Sequence, residues 1–156
     1  MRRINRIVLS LVLGGVCSSV FAEKAFTGNV QVSGKSAKLG YLIASNGKSN
    51  AGDPITVLVF SEKDTSGEKD AANDAGLFGH FGDAMVIRLL KTDSGWKVLG
   101  SNLIVGEFKS SSAGLIDVKD VKIAGGEISG HLMTQPGATV FHEPVEINVD
   151  FHVKQP

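Results

Sequence analysis

His131 and Met133 are one residue apart in His131-Leu132-Met133, so a strand there puts an imidazole and a thioether on one face. That is a soft donor pair suited to copper, and with a further imidazole a zinc site also becomes conceivable. The further ligands would have to come from His142 or His152, or from His80, which with His142 reads as a loop residue. If the stretches 127–134 and 145–153 pair symmetrically, His131 faces Asn148 and His152 faces Glu127. The two histidines then stand roughly 13 Å apart along the strands. A metal centre on His131 and Met133 therefore requires a loop histidine.

A second grouping is Leu77-Phe78-Gly79-His80-Phe81-Gly82, in which large apolar residues and a histidine sit among glycines that make a poor strand. Such side chains either tuck into a core or await a partner. Leu77, Phe78, His80 and Phe81 are accordingly the candidate partner-binding residues.

Other chemistries are absent or weak. Gly-x-Ser-x-Gly, which sets a nucleophilic serine on a sharp strand-to-helix turn, does not occur. Gly34-Lys35-Ser36 and Gly47-Lys48-Ser49 resemble the end of a phosphate-binding loop, but Asn29 and Leu42 stand where that loop needs glycine, so both read as turns. Glu107, Glu127, Glu146 and Asp150 lie in or beside strands but point outward, unlike the partly buried pair that acid–base catalysis requires. Trp96 and Tyr41 are the only residues of their types and occupy alternating strand positions, which assigns them to packing rather than to sugar binding. No cofactor signature is present.

The elements that must position these residues are strands. Phe26, Val30 and Val32 alternate with polar residues, and Ser33-Gly34-Lys35-Ser36 turns the chain toward Leu39, Tyr41 and Ile43, predicting an opening hairpin. Ile55–Phe60 and Ala84–Leu90 are apolar at nearly every position, as in strands covered on both faces. Thr92-Asp93-Ser94-Gly95 and Gly125-Gly126 predict hairpin turns. Val145, Ile147, Val149, Phe151 and Val153 alternate with Glu146, Asn148, Asp150 and His152 in a last strand. Eight or so strands with one buried face predict an all-β fold: a single antiparallel β-sandwich, immunoglobulin-like or related, with a closed β-barrel as the alternative. Residues 62–83 break the rhythm as a long loop, with Glu68–Ala75 able to form a helical turn or two.

The N-terminus supplies an address. Arg2, Arg3 and Arg6 precede the apolar run Ile7–Val16, and Val20-Phe21-Ala22 places small groups before a cut, predicting a secretory signal peptide over 1–22 and a single β domain over 23–156. Val16 stands where a lipoprotein signal wants Gly or Ala before Cys17, the one cysteine, so lipid attachment is disfavoured. Of sixteen basic residues three lie in the signal, leaving thirteen against sixteen acidic ones and Arg88 as the single arginine. Scattered lysines and a slightly acidic balance argue against a nucleic-acid partner. No later stretch reaches the roughly twenty apolar residues of a membrane-spanning helix. The absence of Asn-x-Ser/Thr fits a bacterial periplasm, and a periplasmic or secreted location is expected.

With the strands assigned, Val32-x-Gly34, Leu39-Gly40-Tyr41-Leu42-x-Ala44, Ile55–Ser61 and Gly125-Gly126-x-Ile128-Ser129-Gly130 follow in an order that resembles small exported β-domain proteins of unknown function from Gram-negative bacteria. The resemblance spans nearly all of the mature chain and implies an exported β domain; it brings no active-site residue. The expected function is a non-enzymatic periplasmic interaction module that engages a protein through the 62–83 loop, such as a neutraliser of an envelope-targeted toxin or enzyme. The alternatives are a periplasmic copper- or zinc-binding domain on His131 and Met133, and an envelope hydrolase.

Overall fold

The alternation of Val145, Ile147, Val149 and Phe151 with charged and polar neighbours becomes strand β11 (Glu143–Lys154) in the computed structural model, which describes residues 25–156. The four apolar side chains are buried, while Glu146, Asn148, Asp150 and His152 face solvent. The expected signal peptide falls outside the described residues.

β11 is central in a sheet whose order is β2 (Lys35–Ser36), β1 (Phe26–Val32), β11, β9 (Glu127–Thr134) and β8 (Ile116–Ala124), and the short β10 (Thr139–Val140) also pairs with β11. A second sheet is an antiparallel meander of β3 (Tyr41–Lys48), β4 (Pro54–Ser61), β5 (Ala84–Thr92), β6 (Gly95–Val105) and β7 (Phe108–Ser112). The two sheets do not close into a barrel, and the fold is a β-sandwich, as the alternation predicts. Between them lie Val30, Leu58, Met85, Ile87, Leu132 and Val149, with Phe26 meeting Phe60 edge to face at 5.3 Å.

β4 and β5 are buried on both faces because a third layer covers the outside of the meander. Val57, Val59, Ala84, Val86 and Ile104 form a separate outer cluster with Ala71 and Ala75. Those alanines belong to the 62–83 connection, which folds as a short helix α1 (Ala71–Asn73) running into a π-helical turn (Asp74–Phe78). Gly79 ends that turn in the left-handed region, φ 70°. The base of the connection is zipped by Glu62 N–H to Asp83 O at 2.8 Å and Lys63 N–H to Phe81 O at 3.2 Å. The segment is thus a folded cover whose small residues allow close approach to the sheet.

Three local expectations are corrected. The opening hairpin is only two residues deep, Gln31 and Val32 pairing with Ser36 and Lys35, after which the chain crosses to the other sheet and Tyr41 starts β3 against β4. Tyr41 is 45% exposed rather than packed inside, whereas Trp96 does pack against the core. The register between β9 and β11 is two residues from the symmetric one: Met133 faces Asn148, and His131 faces Asp150. Its cause is the tip of the connection, where Phe141 and His142 take positive φ (53° and 69°) and Thr139 and Val140 pair back onto Pro144 and Glu143. By contrast, Gly125 and Gly126 form the expected tight turn, with φ of 60° and 77°.

Candidate functional site

The segment that covers the meander also carries two large apolar side chains that stay exposed. Within five residues of the π-helical turn, Ala75 and Gly76 are buried, while Leu77 is 49% and Phe78 58% exposed. The turn explains the split: one side is pressed so closely to the sheet that a Cβ on Gly76 would lie 2.7 Å from Val86 Cγ2, which leaves the other side projecting. Phe78 is braced rather than loose. Its ring stacks on the His80 imidazole with centroids 5.5 Å apart and planes 23° from parallel. His80 is held in turn by its backbone N–H, which donates to Asp74 O at 3.1 Å, and its Nδ1 stands 3.6 Å from Asp74 Oδ1.

Of the four residues expected to meet a partner, the structure therefore brings three together at one tip: Leu77, Phe78 and His80. Phe81 is separated from them. It is partly buried and packs against the outer apolar cluster, because the chain has reversed at Gly79 and is returning to β5. Asp74, which orients His80, carried no signal at the sequence level, since its pairing depends on a turn with π rather than α spacing. Lys109 of β7 adds a cation below the tip, its Nζ 3.7 Å from the position a Cβ on Gly79 would take.

His131 and Met133 share the solvent face of the other sheet, as the spacing predicts. Their surroundings differ from a metal centre. His131 Nδ1 lies 2.8 Å from Asp150 Oδ1, and His152 Nε2 lies 2.6 Å from Glu127 Oε2. These are two cross-strand histidine–carboxylate pairs, one directly opposite and one diagonal. Among the described residues no group of three or more His, Cys, Asp or Glu is arranged to hold a metal ion. His142 occupies the turn before β11.

The chain matches no known protein family, no characterised protein and no solved structure. Among the described residues, no helix is long and apolar enough to cross a membrane.

Proposed function

We propose that this protein is a non-enzymatic interaction module of the bacterial envelope, delivered there by residues 1–22, that engages a protein partner through the tip formed by Leu77, Phe78 and His80. The reading rests on one observation: two large apolar side chains stay in water on a segment whose other apolar groups, Ala71, Ala75 and Phe81, turn to the sheet. With Leu77 49% and Phe78 58% exposed, about half of each side chain's burial, roughly 1 kcal/mol apiece, is forgone, which a partner's apolar pocket would recover. A projecting knob complements a concave surface, and the cleft of an envelope enzyme or toxin is such a surface.

Capture from a periplasmic extract tests this reading. The double variant Leu77→Ser, Phe78→Ser is expected to keep the fold and lose about 2 kcal/mol of binding, roughly thirtyfold in affinity, as a central anchor does. A double variant that captures the same partner with unchanged affinity would overturn it.

A further inference from the structure

Arg88 is the single arginine among residues 25–156, and it stands in the middle of a sheet. On β5 the outward-facing series is Ala84, Val86, Arg88, Leu90, so a guanidinium occupies a place where an aliphatic side chain would continue the outer apolar cluster. The register between β5 and β6 breaks immediately after it. Arg88 pairs with Gly100 and Leu89 with Val98, leaving Leu99 as the extra residue of a bulge. Bulges re-aim a neighbouring side chain and cluster at sites of function. Gly100, opposite Arg88, lines the cleft beside it.

The guanidinium is fixed but uncompensated. Arg88 Nη1 donates to Asn102 Oδ1 at 2.6 Å, and Asn102 is only 2% exposed. No ion pair to a carboxylate forms at Arg88 among the described residues. A half-buried charge without a counter-ion is costly, and a guanidinium presents a planar fork of donors shaped for an oxyanion.

Two clefts meet at this side chain, of about 280 Å³ and about 230 Å³, and Arg88, Lys48 and Ile55 line both. The larger runs between β3 and the start of the cover segment, with Lys69, Glu68 and Asp70 on its far wall; Asp70 is occupied by Asn73 Nδ2 at 2.7 Å. The smaller is walled by Ser49, Asn50, Leu99 and Gly100 and has no carboxylate in its lining. Arg88 and Lys48 are the two cationic residues of its lining, Lys48 at the end of β3.

We propose that Arg88 and Lys48 bind a small oxyanion, the phosphate or carboxylate group of a ligand whose polar body is received by Asn50, beside a turn that Ser49 closes by donating its hydroxyl to Asp53 Oδ2. Arg88 supplies bidentate hydrogen bonds, with Asn102 fixing its plane, and Lys48 adds a second positive charge from the end of β3. The site lies apart from the Leu77–Phe78 tip and stands independently of the interaction reading.

NMR titration of the mature protein with inorganic phosphate and, separately, with succinate tests it. The expected result is a saturable shift of the Arg88 Nε–H, Asn50 and Gly100 resonances by about 20 mM, where a Kd near 1 mM is well saturated. Phosphate acting alone assigns a phosphoryl ligand, and succinate acting alone a carboxylate. Arg88→Gln is expected to abolish the shifts at Asn50 and Gly100, and Lys48→Ala, at an exposed position that the fold does not need, to weaken binding about tenfold. Absence of saturable shifts with both anions, or unchanged binding in both Arg88→Gln and Lys48→Ala, would overturn the proposal.

Discussion

Phe78 and Phe81 are three residues apart in the chain and lie on opposite sides of the segment that carries them: Phe78 stacks on His80 in solvent, while Phe81 packs on the outer cluster of the meander. Serine at the two positions should therefore give opposite results. Phe81→Ser is expected to destabilise the domain by about 1–3 kcal/mol and Phe78→Ser by less than about 0.5 kcal/mol, measured by urea unfolding.

Gly76 is where the cover segment touches the sheet most closely, with a Cβ meeting Val86 Cγ2 at 2.7 Å and Asn102 Cβ at 3.1 Å. The valine branch cannot swing aside as the end of a long side chain would. Gly76→Ala should cost about 1–3 kcal/mol and make residues 62–83 sensitive to limited proteolysis. Unchanged protease resistance would show that the contact relaxes freely.

Asp83 ties together three parts of the chain. Its Oδ2 accepts from Lys38 N–H at 2.8 Å, its Oδ1 from Gly106 N–H at 2.7 Å, and its own N–H donates to Glu62 Oε2 at 3.2 Å. Asp83→Ala leaves two backbone donors without their acceptor. A loss of about 2–3 kcal/mol is expected in thermal or urea unfolding, larger than for removal of any exposed acid.

Asp64 lies at the start of the cover segment, and its Oδ1 accepts the Ser66 N–H at 2.9 Å. That backbone hydrogen bond holds the carboxyl below its ordinary 3.8, helped by the Ser66 side chain. A depressed carboxyl pKa contributes stability that is full above the unfolded value and is lost as pH falls through the folded one. The stability gap between wild type and Asp64→Asn should thus be constant near neutrality and shrink below about pH 4. An NMR titration placing the Asp64 midpoint at or above 3.8 would contradict this.

The register of β9 on β11 can be checked through His131 and Asp150, which face each other on neighbouring strands with Nδ1 and Oδ1 2.8 Å apart. A double-mutant cycle to alanine should return a coupling of about 0.2–1 kcal/mol, as for exposed cross-strand pairs. The same cycle on His131 and Asn148, the pair of the symmetric register, should return none.

What could be read from the sequence depended on how local the determining physics is. The alternation in Val145–Phe151 and the Gly125-Gly126 turn are set by period and backbone freedom within a few residues, and both appear in the structure as expected. The doubly buried character of Ile55–Phe60 was legible, but not what covers its outer face, because Ala71 and Ala75 look unremarkable in the chain and matter only through how closely they let the cover approach. Phe141 and His142 adopt left-handed backbone without being Gly or Asn, so nothing marked them as the hairpin tip, and the register slipped by two. Arg88 was visible as a lone arginine. Its setting was not, since the bulge and the buried Asn102 come from a different strand.

The pairing of β1 with β11 over Phe26–Val32 makes the first and last strands of the described residues immediate neighbours. The core side chains Phe26, Val30 and Val32 thus lack their sheet partner until the final strand exists. A chain emerging N-terminus first cannot lock its own sandwich, and a ribosome stalled before Glu143 holds an unfinished sheet. Completion is therefore decided by the twelve residues of β11, and loss of that short stretch removes the middle of a sheet.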